Sequence, residues 1–188
     1  MALKIIYIGR LFMAEEKKEQ WLNYLALTTV VFAVCATLST LKGGGFSTRS
    51  VMFQAQASDQ WSYYQAKSIK GYVYDLQKEK LELELKSLKS GASRSVVAEF
   101  EGKIDSYGRK AKKYEEEKEE IKKRAEDLEK RRDDAQKHSS AFGLAAMFLQ
   151  IAILLSSIAA LMKRRFFWLL GLVLGSVGLV FYLNGFIS

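Results

Sequence analysis

Apolar and charged residues are segregated along this 188-residue chain rather than mixed. No Lys, Arg, Asp or Glu occurs in three windows, Trp21 to Leu41, Ser139 to Met162 and Phe166 to Ser188, which are 21, 24 and 23 residues long. A helix rises about 1.5 Å per residue and a hydrocarbon core is about 30 Å thick, so roughly 20 apolar residues make one crossing. The pattern predicts three transmembrane helices, over 21–41, 139–162 and 166–188, with an arm over 1–20, a charged insert over 42–138 and a basic turn over 163–165. The apolar stretch Ile5 to Ile8 is too short for the core of a cleaved signal peptide, so the first window is expected to stay as an anchor. Trp21 and Tyr24 stand where aromatic rings favour the headgroup level.

The insert has helical periodicity of its own. Gly43-Gly44-Gly45 is expected to break the chain where it leaves the membrane, since three residues without Cβ relax the backbone. No strand precedes these glycines and no Gly-Lys-Ser/Thr follows, so a hinge is favoured over a phosphate loop. A helix is predicted from about Ser47 to Ser90, with small and aromatic residues early (Ala57, Trp61, Tyr64, Ser68, Gly71) and leucines late. Ser90-Gly91-Ala92-Ser93 supplies a turn, and the Ser93 side chain is expected to cap the next helix. In that helix, steps of three and four link Val97, Phe100, Ile104, Tyr107, Ala111, Tyr114, Lys118, Ile121, Ala125, Leu128, Arg132 and Ala135, and only Lys118 and Arg132 are charged. Such a repeat is a coiled-coil seam. The expected fold is all-α: three transmembrane helices with a long helical hairpin (coiled coil) between the first and second. Val97, Phe100, Ile104, Tyr107, Tyr114, Ile121 and Leu128 are candidates for self-association of this stalk.

Composition sharpens this picture at a few points. There is no proline, so long uninterrupted helices are expected. The formal charge of +8 reads as a nucleic-acid signal only until it is divided by region. Residues 43–138 carry a net +3, and the rest sits at membrane borders, where cations set topology and touch anionic headgroups. Nucleic acid is therefore not an expected partner. Lys163, Arg164 and Arg165, in a short loop, place the N-terminus in the cytoplasm and the stalk outside, against the pull of the cations near the foot of the second span.

Candidate chemistry is sparse. Cys35 lies inside a span and reads as a small apolar residue, and His138 has no second histidine, cysteine or carboxylate spaced to complete a metal site. No convergent acid, base and nucleophile set can be assembled, so no enzyme and no cofactor are expected. Gln150 sits mid-span, where an unpaired amide is costly, and is expected to pack against another helix; a water-lined path is the alternative. Ala152 and Ser156, with Gly171 and Gly175 in the third span, have the four-residue spacing of close helix contacts, within one chain or between chains.

Two stretches, QWLNYLALTTVVFAVCATLSTLKGGGFSTRS over 20–50 and QASDQWSYYQAKSIKGYVYDLQ over 56–77, resemble the bacterial membrane proteins grouped as the domain of unknown function 4337 family. The resemblance covers nearly the whole chain after Met13 and makes residues 1–12 look like an extension. It implies a bacterial inner-membrane protein and brings no activity with it. Asp59, Gln60, Trp61, Tyr64 and Lys67 fall in its most specific runs and are expected to form a seam with another subunit or partner. The resulting expectation is a homo-oligomeric scaffold or partner-docking protein, with a channel or transport accessory as the alternative.

Overall fold

The computed structural model describes the backbone of residues 2–88, 91 and 93–187, and the side chains of those from residue 20 onward. Side chains of residues 1–19 of the expected N-terminal arm, and Ser90 and Ala92 of the expected turn, lie outside the described residues. Among the described residues three helices make up the fold: α1 (Ala2–Leu88), α2 (Arg94–Met162) and α3 (Arg165–Ile187). Each carries a stretch long and apolar enough to cross a membrane.

The expected break at the triple glycine is absent. α1 runs through Gly43, Gly44 and Gly45, and no described glycine has positive φ. Packing accounts for the first of the three. A Cβ on Gly43 would stand 3.1 Å from Phe142 Cβ, and Ser139 Oγ donates to the Gly43 carbonyl at 3.1 Å, so the missing side chain lets α2 approach. Gly44 and Gly45 face open space. Helix propensity alone opposes each glycine by about 1 kcal/mol, too little to end a helix held by tertiary contacts.

The two connections are built differently. Between α1 and α2, Gly91 N–H donates to the Leu88 carbonyl at 3.1 Å, and the Ser93 carbonyl accepts from Val96 and Val97 N–H at 3.1 and 3.3 Å. Ser93 thus stands at the cap position, but its hydroxyl meets that of Ser95 at 3.0 Å instead of a backbone amide. Between α2 and α3, Lys163 takes a left-handed φ of 52°. Lys163 N–H donates to Ala160 at 3.4 Å and Arg164 N–H to Ala159 at 3.2 Å. This pair of bonds is the Schellman ending that normally selects glycine at the left-handed position.

The described chain divides into two compact units, one of residues 1–50 and 134–188, the other of residues 51–133. In the first, small residues let three helices come close. Phe32, Ala36, Leu149 and Ala152 form one core cluster, and Trp21, Leu25 and Ala159 another. Gly171, Gly175, Gly178 and Gly185 line one buried face of α3. A Cβ on Gly178 would stand 2.9 Å from Leu149 Cγ, and one on Gly185 2.9 Å from the Phe142 ring. At one end Trp21 meets Trp168 with ring centroids 6.2 Å apart; at the other Phe46 stacks on His138 at 4.7 Å. His138 Nδ1 lies 2.9 Å from the Gly185 carbonyl.

In the second unit, residues of α1 meet residues of α2 in reversed order. Gln54 bonds Arg132, Trp61 bonds Glu129, Lys67 bonds Glu117 and Tyr74 stacks on Tyr114. The two segments therefore run antiparallel. The α1 residues turned inward recur at heptad spacing, Ala57, Tyr64, Gly71, Lys78 and Leu85, all buried or half-buried.

Candidate functional site

The α2 seam is turned onto α1 of the same chain. All twelve positions from Val97 to Ala135 are buried or half-buried, with Ala125 fully enclosed and Lys118 among the buried ones. Of Val97, Phe100, Ile104, Tyr107, Tyr114, Ile121 and Leu128, expected to bring chains together, Ile121 is buried and the other six are half-buried, turned toward the matching heptad face of α1. Tyr74 is the centre of this contact, with Tyr107 and Tyr114 rings each 5.7 Å away.

Most of the seam expected from Asp59 to Lys67 is also spent internally. Trp61 Nε1 donates to Glu129 Oε1 at 2.9 Å, Tyr64 meets the Trp61 ring edge-on at 5.5 Å, and Lys67 Nζ bonds Glu117 at 2.5 Å. Gln60 is half-buried beside Lys123, Arg124 and Leu128, while Asp59 is exposed. Hydrogen bonding to Lys67 holds the Glu117 carboxyl below its ordinary range, and the same bond raises Lys67. Lys118 is likewise raised, first by its bond to Glu115 at 2.6 Å. A polar groove of about 310 Å³ opens beside these pairs where Gly71, Gly108 and Ala111 leave space between the helices. Its lysines at 67 and 118 are already neutralised by carboxylates, so it offers little free charge to a ligand.

In the unit with the apolar segments, Ala152 and Ser156 are fully buried, and Ser156 Oγ donates to the Ala152 carbonyl at 2.9 Å. A Cβ on Gly171 would meet the Ala152 carbonyl at 3.1 Å, and one on Gly175 would overlap the Phe32 ring. These small faces are used within the chain. Gln150 is not part of that contact: Leu149, Ala152, Ser156 and Ala159, three and four apart, own the inward face, and Gln150 stands one position outside it, exposed. Lys163, Arg164 and Arg165 are exposed, with the Arg165 guanidinium 5.7 Å from the Trp21 ring centre.

Sequence reading missed Tyr74, the carboxylates Glu117 and Glu129, and the glycines Gly178 and Gly185. Tyr74 stands three residues after Gly71 of the heptad recurrence 57, 64, 71, 78, 85 in α1, a signal obscured by the glycine and lysine that occupy two of its places. A second signal, also in α1, concerns what faces outward. Met52, Ala55, Ala66, Ile69, Val73, Leu76 and Leu83 fall on one stripe with steps of three and four, interrupted by Asp59, Ser62 and Lys80, and every one of these positions is exposed.

No curated protein and no solved structure matches the chain. A family model described as Domain of unknown function (DUF4337) matches residues 21–188, from the first aromatic residue of the first apolar segment through all three helices. The chain belongs to the DUF4337 family.

Proposed function

We propose that this chain is an integral protein of the bacterial inner membrane that self-associates and serves as a scaffold or partner-docking element, without catalysis. The observation that carries this reading is the outward stripe of α1. Ile69, Val73, Leu76 and Leu83 are 63%, 49%, 63% and 65% exposed on one helical face. Water-facing apolar stripes of heptad spacing are otherwise buried against another helix, and contiguous exposed apolar surface marks an interaction site. Since the α2 seam is occupied by α1, the α1 stripe is the face left for a second chain. The antiparallel contacts support a helical hairpin for residues 51–133, placed outside the membrane. The basic turn at Lys163 to Arg165 supports a cytoplasmic N-terminus and an extracytoplasmic hairpin, with anionic headgroups at the turn.

The double variant Ile69→Glu, Leu76→Glu tests this in the full-length, detergent-extracted protein. The wild type is expected to have the mass of two or more chains, and the double variant that of fewer. Lys112→Glu, on an exposed charged face, is expected to leave the mass unchanged. A double variant with wild-type mass removes the stripe from the interface.

A second reading is an oligomeric channel or transport accessory. It is favoured by the exposed Gln150 beside the Thr37 and Thr40 positions of α1. Solute flux in reconstituted vesicles, abolished by Gln150→Leu, would support it.

A further inference from the structure

The middle of the second apolar segment carries an exposed amide, Gln150. Gln150 has eleven residues of the Ser139 to Met162 window before it and twelve after, so a membrane-crossing α2 puts it near mid-bilayer. Among the described residues it forms no hydrogen bond. It opens onto a groove of about 500 Å³ between α1 and α2, lined by Ala33, Ala36, Thr37, Thr40, Leu41 and Ile153. The threonines offer no free donor: Thr37 Oγ1 donates to the Ala33 carbonyl at 2.9 Å and Thr40 Oγ1 to the Ala36 carbonyl at 3.0 Å. Facing lipid, the amide would be left unsatisfied in a medium that cannot hydrogen-bond it.

We propose that this groove is the intramembrane docking site of a second copy of the chain, and that the Gln150 amide pairs reciprocally with Gln150 of the partner subunit across a two-fold axis. A carboxamide carries both donor and acceptor, so two of them complement each other. Copies of one chain inserted the same way hold the same residue at the same depth, and the partner's amide arrives level with its mate. Ala33 and Thr37, and Ala36 and Thr40, are small residues four apart, the spacing that lets helices approach closely. The inference rests on the self-association proposed above and states where in the membrane it occurs.

Oxidative crosslinking in native membranes tests the site. In a Cys35→Ser background, Gln150→Cys is expected to form a disulfide-linked dimer under copper phenanthroline, and Val173→Cys, exposed on α3, is expected to remain single. Gln150→Leu is expected to weaken association about threefold to twentyfold, with Gln150→Asn recovering part of the loss. Equal crosslinking at both positions, or none at 150 in a protein that still has multi-chain mass, overturns the groove while leaving self-association intact. Unchanged association of Gln150→Leu with altered solute flux overturns it in favour of a water path. A wild type with the mass of one chain defeats the underlying reading itself.

Discussion

Replacing the three consecutive glycines of α1 one at a time by alanine distinguishes a continuous helix from a hinge. In a helix, alanine is favoured over glycine by about 1 kcal/mol. At Gly44 and Gly45 an added Cβ meets nothing within 4 Å, so each variant should gain that amount in full. At Gly43 the same gain is opposed, because the Cβ would stand 3.1 Å from Phe142 Cβ and 3.6 Å from the Ser139 carbonyl. Both atoms are fixed to the α2 backbone and cannot swing aside, and overpacking of this kind costs about 1–3 kcal/mol. The net for Gly43→Ala is therefore between no change and a loss of about 2 kcal/mol. Thermal unfolding in detergent, followed by helical circular dichroism, should show raised midpoints for Gly44→Ala and Gly45→Ala, by about 2–4 °C per kcal/mol for a chain of this size. Gly43→Ala should be unchanged or lowered. Neutral or lowered midpoints for the first two would mean that the helix breaks there after all.

Lys163→Gly should stabilise the α2–α3 connection by about 0.5–1 kcal/mol, because the left-handed φ of 52° costs a side-chain-bearing residue and not glycine; a lowered unfolding midpoint would refute this. Gly178→Ala should cost about 1–3 kcal/mol, since its Cβ would approach Leu149 Cγ to 2.9 Å and the Leu149 backbone nitrogen to 3.1 Å, and the same melts measure it. The Lys67–Glu117 pair sets a pH window. Glu117 is lowered from 4.5, so its contribution is complete above that value and lost as pH falls through the lowered pKa; Lys67 is raised from 10.5, so its contribution is complete below that value and lost as pH rises through the raised pKa. The stability difference between wild type and Glu117→Gln should be flat from about pH 5 to 9 and shrink under more acid conditions, in denaturant titrations at fixed pH. A difference that grows on acidification would contradict the assignment.

Much of the fold was readable from one-dimensional pattern. Three charge-free windows of spanning length mark the apolar segments of the three helices, and the heptad run from Val97 to Ala135 picks out the face that α2 buries. The triple glycine was misread because propensity is local, whereas the reason for Gly43 lies in Phe142 and Ser139, a hundred residues away in the chain. Small-residue spacing in 152, 156, 171 and 175 announced close packing but not whether it fell within one chain, which depends on Phe32 and Leu149 filling the spaces. The inward face of α1 was harder to read, because a glycine and a lysine stand in its heptad recurrence at 71 and 78 and its contacts pair unlike residues, Trp61 with Glu129 and Lys67 with Glu117. The stripe from Met52 to Leu83 shows the converse: its period was present in the sequence, yet only the burial of the opposite face of α1 shows that it is the one left open.

Sedimentation of the full-length wild-type protein in density-matched mild detergent, over a wide concentration range, tests self-association most directly. A self-associating chain sediments as a discrete species with the protein mass of two or more chains that persists on dilution. A protein mass of one chain at every concentration would contradict it and leave the α1 stripe and Gln150 to a different partner.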